Sequence, residues 1–249
     1  MLPRFLGAID VACGTAHLAD DEARHLSQVL RLRAGDDVTV FDGAGREFRA
    51  RVERLSHDGA DLALLGESIA VPEPRVHLTL VQAVLKGDKM DDVVRDATMM
   101  GVAAIAPLIT AHTVAHMKPG GAPERWRRIA VASAKQCRRA VLPSIGTGMT
   151  FDDWLARDGA EVRLILVEPA IGTEAAPVSN ATAEYADLSK RAPASASLLV
   201  GPEGGWSPEE IGLARRVGYS SLTLGRRTLR ADAVPVVALS VLQYLWGDL

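Results

Sequence analysis

The sequence of 249 residues is long enough for one large domain or two modest ones. Apolar residues make up 48% of it and charged residues 24%, a balance typical of a soluble globular protein, and no apolar run is long enough to span a bilayer. The net charge of −3 argues against a protein that coats nucleic acid non-specifically, because such proteins are basic overall. The first residues turn polar too soon for a signal peptide, and two cysteines, Cys13 and Cys137, fit a reducing compartment. We therefore expect a cytoplasmic protein.

Residues 1–72 predict a small, mostly β domain, which we expect to be a barrel with one solvent-exposed face. Three strands are separated by glycine-containing turns: Asp37–Phe41, Arg46–Leu55 and Ala60–Leu65. A short helix before them is capped by Asp20 or Asp21. Four apolar residues share one face of that helix at helical spacing: Ala23, Leu26, Val29 and Leu30.

Pro72-Glu73-Pro74 predicts a stiff linker, because proline at both ends disfavours a helix. From Val76 onward strands and helices alternate, which indicates an α/β domain with a parallel sheet over residues 73–249. Three strands precede the last part of the domain: Val76–Leu85, Val102–Ile109 and Val162–Val167. The segment from Lys118 to Arg139 is basic, because it contains seven basic residues and a single acidic one, Glu124. Its helix carries an apolar face formed by Trp126, Ile129, Ala130, Ser133 and Cys137.

Two successive units of strand, glycine loop and helix end the second domain. The strand Ser197–Val200 leads into Gly201-Pro202-Glu203-Gly204-Gly205, and Ser207 then begins a helix with Glu210 at capping-box spacing. A strand over Ser220–Leu224 leads into a second loop that ends at Arg230. Because the carboxyl ends of parallel strands meet, we expect both loops to form one ligand pocket with their backbone groups. The glycine spacing is neither that of a P-loop nor that of a dinucleotide fingerprint.

The Gly201–Gly205 loop together with Leu224-Gly225-x-x-x-Leu229-Arg230 resembles the SPOUT class of RNA methyltransferases, and within it the RsmE family. Further segments are similar to that family: His25-x-x-x-Val29-Leu30-Arg31, Leu85-Lys86-Gly87-Asp88-Lys89 and Gln136-x-x-Arg139. The resemblance implies an α/β fold class with an N-terminal PUA-like β-barrel that binds RNA and a C-terminal SPOUT α/β domain with a trefoil knot. It also implies methylation of N3 of a uridine in 16S ribosomal RNA, with S-adenosylmethionine as cofactor.

Three segments depart from the family pattern, and each loses polar groups near the expected pocket. Asp96–Gly101 reads Asp-Ala-Thr-Met-Met-Gly instead of Lys-Ala-Thr-Glu-Leu-Gly, and Ala111-His112-Thr113 replaces Glu-Arg-Ser. Ala231-Asp232-Ala233-Val234 replaces Thr-Glu-Thr-Ala. Two alternatives therefore stay open: a SPOUT methyltransferase that acts on another RNA, and a non-catalytic RNA-binding factor in ribosome assembly.

The resemblance assigns roles to residues of this chain. The expected cofactor-binding residues are Val167, Glu168, Leu199, Val200, Gly201, Gly204, Gly205, Leu224, Gly225 and Leu229. The candidates for catalysis are Arg230, which would stabilise a developing uracil anion, then Arg139 and Glu203. The arginines expected to contact RNA are Arg24, Arg31, Arg33, Arg125, Arg128 and Arg138, with Arg49 and Arg51 on the same side of the first domain.

The remaining expectations concern partners and metals. The nearly all-apolar final helix around Leu239 predicts a homodimer, and the expected RNA partner is 16S ribosomal RNA or the small ribosomal subunit. His112 and His116 are spaced like helical zinc ligands, but no third ligand is near them, so we expect no metal site. Met99 and Met100 are expected in the core.

Overall fold

The computed structural model describes residues 2–56, 58–114, 117, 124–169 and 185–249, and the chain forms two compact units. The first unit comprises Met1–Glu73 and Val131–Leu142, and the second comprises Pro74–Ala130 and Pro143–Leu249. The boundary after Glu73 falls inside the predicted linker. The prediction placed residues 131–142 in the second domain, but the bridges of Val141 to Gly43 and Ala44 join this segment to the first unit.

One six-stranded sheet, in the order β1-β4-β5-β6-β3-β2, forms most of the first unit. The strands are Arg4–Leu6 (β1), Ala8–Asp10 (β2), Thr15–Leu18 (β3), Asp37–Phe41 (β4), Glu47–Ser56 (β5) and Gly59–Glu67 (β6). β1 and β4 are parallel, and the other neighbours are antiparallel. The predicted strands correspond to β4, β5 and β6. β1–β3 were not predicted, because strands of three or four residues are too short to show a clear alternation.

The predicted helix before β4 changes its geometry halfway along. Asp20–Arg24 is α-helical and His25–Val29 is π-helical. Ala19 is the N-cap, so the aspartates lie in the first turn and do not cap the helix. Because the π-helical turn is wider than an α-turn, it changes the direction in which later side chains point. Val29 and Leu30 are exposed, and the prediction of a single four-residue apolar face was wrong.

A parallel sheet of seven strands forms the centre of the second unit, in the order β10-β8-β7-β12-β11-β13 with β9 beside β8. Its strands are His77–Ala83 (β7), Ala104–Ile109 (β8), Ser144–Ile145 (β9), Met149–Thr150 (β10), Val162–Leu166 (β11), Ser195–Val200 (β12) and Ser220–Leu222 (β13). The late strand β12 is inserted between β7 and β11. The α/β class with a parallel sheet is thereby confirmed.

Helices pack on both faces of this sheet. They are Lys89–Met99, Phe151–Leu155, Pro208–Arg216 (the capped helix), Val234–Trp246 (the final helix) and the first half, up to Ala130, of Glu124–Cys137 (the basic helix). The side chains of β12 alternate between the two cores: Leu198 and Val200 pack with the final helix, while Leu199 packs with Phe151 and Tyr219. Among the described residues, no helix is both long and apolar enough to cross a membrane.

The capped helix begins with the predicted capping box. The Ser207 hydroxyl accepts a hydrogen bond from the Glu210 amide at 3.1 Å, and the Glu210 carboxylate accepts one from the Ser207 amide at 2.9 Å. Pro208 occupies the first turn, where its missing N–H leaves no bond unmade. This reciprocal pair satisfies two of the amides that a helix start leaves free.

We expect Ser207→Ala to lower the free energy of unfolding by about 1 kcal/mol, because the Glu210 amide loses its acceptor. In a chain of this size such a loss lowers the melting temperature by roughly 2–4 °C. Differential scanning calorimetry measures this effect. Ser220→Ala, at an exposed serine of the same unit, is the control and should leave the transition unchanged. Equal shifts in both variants would show that the cap contributes nothing.

Candidate active site

A cavity of about 570 Å³ lies at the carboxyl ends of three neighbouring strands of the second unit. The residues after β11, from Val167 to Pro169, form one wall. The glycine loop, Gly201–Gly205, follows β12 and forms the second wall, and residues 224–232, here called the terminal loop, follow β13 and form the third. Because β12 and β13 both pair with β11, three segments far apart in sequence meet at one sheet edge. The volume is within the range of cofactor pockets.

Most of the predicted cofactor-binding residues line this cavity. They are Val167, Glu168, Val200, Gly201, Gly204, Gly205, Leu224 and Leu229. Leu199 does not line it, because strand alternation turns this side chain to the opposite face of the sheet, where it is fully buried. Gly225 is also absent from the wall, and its φ of 72° indicates a turn that glycine favours.

Trp206 fixes the far end of the glycine loop. Its indole Nε1 donates a hydrogen bond to the Leu166 carbonyl at 2.8 Å, and its ring packs against Phe151 with centroids 5.4 Å apart. A Cβ on Gly201 would lie only 3.2 Å from the Trp206 ring, so a glycine is needed for this approach. Sequence reasoning did not single out Trp206, although a tryptophan between a glycine loop and a helix cap is a signal that could have found it.

His112 holds the same loop from the segment that follows β8. Its Nδ1 lies 3.1 Å from the Gly204 carbonyl oxygen and 3.2 Å from that of Gly205. Both partners can only accept, so the tautomer that makes these bonds carries its hydrogen on Nδ1. Glu210 adds a second tie, because its carboxylate accepts a hydrogen bond from the Ala111 amide at 2.9 Å. His112 therefore supports the pocket wall, a role that the spacing argument about zinc had missed.

Two cations and two carboxylates face one another on the cavity wall. Lys89 Nζ lies 2.8 Å from a Glu203 carboxylate oxygen, which also accepts a hydrogen bond from the Lys86 amide. The Arg230 guanidinium donates two hydrogen bonds, of 3.1 and 2.9 Å, to the two carboxylate oxygens of Asp232. The predicted catalytic residues Arg230 and Glu203 thus lie at the cavity, each with a partner of opposite charge.

The pKa values of both carboxyls are lower than usual. Burial by itself raises the pKa of Glu203, but the hydrogen bonds from Lys89 and from backbone amides outweigh it. Burial likewise raises the pKa of Asp232, and the Arg230 hydrogen bond, its own backbone amide and the charges of Arg230 and Lys89 outweigh it. Both groups are therefore ionised acceptors at neutral pH.

Gln82 lies near the end of β7. It is paired with Val200, the last residue of β12 before the glycine loop. Its side chain is fully buried, and its amide nitrogen donates to the Ala83 carbonyl at 2.9 Å and approaches the Gly201 carbonyl at 3.5 Å. Its amide oxygen has no hydrogen-bond partner among the described residues. A buried polar side chain under the loop could not be predicted from the sequence, because Gln82 stands within an apolar strand.

Arg139 lies in the first unit, whereas the residues that line the cavity belong to the second. Arg139 belongs to the first unit, where its buried guanidinium pairs with Glu73 and its Nε donates to the carboxylate at 2.7 Å. Arg4 donates a hydrogen bond of 2.8 Å to the carbonyl oxygen of Ala134, which lies in the last turn of the basic helix. A buried, paired arginine stabilises the segment around it. The part of Arg139 in catalysis stays a prediction.

The arginines predicted to contact RNA fall into two groups. Arg24 pairs with Asp20 and Asp21, Arg125 pairs with Asp88 and Asp91, and both Arg49 and Arg51 pair with Asp37. Within the described part of the chain, no ion pair is found for four exposed arginines: Arg31, Arg33, Arg128 and Arg138. An unpaired arginine can contact a phosphate without first breaking an ion pair, so the second group is better suited to bind RNA.

No metal site is found among the described residues, where no three His, Cys, Asp or Glu side chains cluster as ligands. His116, the second histidine of the zinc spacing, lies outside those residues. Met99 is exposed, in contrast to the prediction that it lies in the core, because the buried face of its helix carries Met90, Val93, Val94 and Ala97.

Two protein-family models match this chain, one in each of the two predicted domains. The family described as "RNA methyltransferase domain" matches residues 72–243, and "RNA methyltransferase PUA domain" matches residues 18–65. A Synechocystis protein called ribosomal RNA small subunit methyltransferase E is 34% identical, over 93% of this chain and 73% of its own length. A Mycobacterium bovis protein of the same name is 29% identical, over 96% of this chain and 87% of its own.

Solved structures with bound cofactor are similar over almost the full length. A methyltransferase from Legionella pneumophila in complex with S-adenosylmethionine has a TM-score of 0.85 and 29% identity, and the match covers all of both chains. The ribosomal RNA small subunit methyltransferase E of Neisseria gonorrhoeae, bound to S-adenosylmethionine, has a TM-score of 0.84 and 29% identity over 99% of this chain and 98% of that one. The resemblance stated from the sequence is confirmed, and this chain belongs to the RNA methyltransferase family whose members include ribosomal RNA small subunit methyltransferase E.

Proposed function

We propose that this protein methylates ribosomal RNA of the small subunit, at N3 of a uridine in 16S RNA, with S-adenosylmethionine as methyl donor. The observation that carries the proposal is the cavity formed by the glycine loop, the terminal loop and the end of β11. A relative that matches 93% of this chain is named ribosomal RNA small subunit methyltransferase E, and two solved structures similar over 99–100% of this chain hold S-adenosylmethionine.

The cavity fits the chemical groups of S-adenosylmethionine. Leu166, Val200 and Leu224 give an apolar wall suited to an adenine ring, and the glycine loop exposes backbone N–H and C=O groups. A Cβ on Gly205 would meet only the Glu168 carboxylate, at 3.6 Å, so this part of the loop leaves room for a ligand. Glu168 and Glu203 supply negative charge opposite a ligand that carries an ammonium and a sulfonium group. When bound, the cofactor supplies a methyl group on a positively charged sulfur.

The residues of this chain contribute position and charge. N3 of uracil must lose its proton before it acts as a nucleophile, and the resulting anion is stabilised by a nearby cation. Arg230 lies at the cavity and keeps N–H groups that Asp232 does not use, so it is our candidate for that cation. Holding the base and the methyl donor in line supplies much of the remaining rate enhancement.

One alternative, a non-catalytic assembly factor, is disfavoured because the described residues after β11, β12 and β13 form a cavity that fits the cofactor. His112 and Trp206 hold the glycine loop, and Glu210 ties the capped helix to the segment after β8. The other alternative, a methyltransferase for another RNA, arose from the departures in sequence. It is disfavoured because relatives that match 93% and 96% of this chain share the small-subunit name.

Gly205→Trp tests the cofactor site. The indole would occupy the space next to Glu168, so we expect binding of S-adenosylhomocysteine, measured by titration calorimetry, to be lost. Gly205→Ala is the matched control, because it introduces the same backbone strain at a φ of 68° but adds only a methyl group at an ordinary contact distance. We expect the alanine variant to bind. Binding retained in the tryptophan variant, or absent in the unmutated protein, would contradict the proposal.

The basic helix is proposed to contact RNA phosphates through Arg128 and not through Arg125. We expect Arg128→Ala to weaken binding of a 16S RNA transcript and to reduce the slope of log K against log salt by about 1. Arg125→Ala removes the same charge, but from a side chain that Asp88 and Asp91 already neutralise, and should leave the slope unchanged. Filter binding across a salt series measures both, and equal slopes for the two variants would exclude this assignment.

We further propose that the protein is a homodimer that uses the outer face of the final helix. Three apolar side chains of the second unit are exposed on the final helix and the helix beside it: Val237, Tyr244 and Met99. We expect sedimentation velocity to give a dimer at micromolar concentration and Val237→Asp to give a monomer, because a buried charge without a partner disrupts an apolar interface. A monomer without the substitution would contradict this proposal.

The trefoil knot and the cytoplasmic location stay predictions.

A further inference from the structure

The cavity wall contains one carboxylate on which two cations act together. Three carboxylates of the described residues line the cavity: Glu168, Glu203 and Asp232. Glu168 is exposed and shows no ion pair in this part of the chain, and Glu203 pairs with Lys89 alone. Asp232 accepts both hydrogen bonds of Arg230 and also lies in the field of Lys89. Its side chain is only 17% exposed, whereas that of Arg230 is 76% exposed.

Each of these three side chains keeps hydrogen-bonding capacity towards the cavity. An arginine has five N–H donors and Arg230 uses two of them on Asp232, while a lysine has three donors and Lys89 uses one on Glu203. An ionised carboxylate has about four acceptor positions, and Asp232 uses two of them on Arg230. The wall therefore presents an acceptor, Asp232, together with donors from two cations that line the same cavity, Arg230 and Lys89.

The pairing edge of uracil has the complementary pattern. O2 and O4 accept hydrogen bonds, and N3–H between them donates one. Cytosine has an acceptor at N3 and a donor at its amino group, so a carboxylate at the central position repels it. Enzymes that act on an extruded base read it through this edge.

We propose that Asp232 accepts the N3–H hydrogen bond of the target base while Arg230 and Lys89 donate to its two carbonyl oxygens, so that this group selects uracil over cytosine. The inference rests on the proposed function and adds to it the residue that identifies the base. One correctly matched base contact discriminates by about 1–3 kcal/mol, which corresponds to roughly 5- to 150-fold in affinity.

The test measures binding and not turnover. Two RNA oligonucleotides of the same sequence, one with a single uridine and the other with cytidine in its place, compete for the protein saturated with S-adenosylhomocysteine. We expect the unmutated protein to prefer the uridine oligonucleotide by roughly 5- to 150-fold. In Asp232→Asn the amide can turn an N–H towards N3, so the preference should disappear or be inverted, while the affinity for S-adenosylhomocysteine stays the same.

Asp96→Asn is the matched control. Asp96 is also a partly buried aspartate that pairs with an arginine, at 2.9 Å from Arg95 Nε, but it does not line the cavity. This variant should keep the preference for uridine. If the Arg230–Asp232 pair only ordered the start of the final helix, Asp232→Asn would weaken cofactor binding and leave the uridine-to-cytidine ratio unchanged.

The outcomes separate this inference from the proposed function. A ratio that stays unchanged in Asp232→Asn, in a protein that binds S-adenosylhomocysteine and prefers uridine, overturns the role of Asp232 alone. If the unmutated protein shows no preference for uridine, the inference fails, and if it also fails to bind S-adenosylhomocysteine, the proposed function fails with it. A lost or inverted preference in Asp232→Asn, with cofactor affinity and the Asp96→Asn control unchanged, supports the inference.

Discussion

The anchoring of the glycine loop at both ends is the constraint on which the candidate site depends. The loop consists largely of glycine, so its own side chains cannot hold it in one conformation. Trp206 ties its end to β11 through the Leu166 carbonyl, and His112 holds the Gly204 and Gly205 carbonyls from the segment after β8. Strand β12 holds the start of the loop, and these two contacts hold its end. The backbone groups in between are thereby kept in place for a ligand, which reduces the ordering that binding would otherwise require.

The capping box has a second role in the same arrangement. Glu210 completes the cap with one carboxylate oxygen and accepts the Ala111 amide with the other. The start of the capped helix, the segment after β8 and the glycine loop are therefore connected through one carboxylate. A residue that local sequence marks as a helix signal is at the same time part of the support of the pocket.

The distribution of charge shows why an overall negative protein can still bind RNA. Many arginines are neutralised by a nearby aspartate or glutamate, as Arg125 is by Asp88 and Asp91. Arg31, Arg33, Arg128 and Arg138 are exposed and have no such partner within the described residues. The net charge of −3 therefore does not describe the field at any one surface, and single unpaired arginines matter more than the total.

The amino-acid sequence by itself determined the features that rest on neighbouring residues. The alternation of β5, the capping box at Ser207 and the glycine loops after β12 and β13 are local, because their geometry is set within a few residues. Only the tertiary structure decided which distant groups meet. It paired Arg139 with Glu73 in the first unit, turned Leu199 away from the cavity and paired Lys89 with Glu203. Ion pairs and strand order join residues that are far apart in the chain, and no periodicity or spacing in a single sequence carries that information.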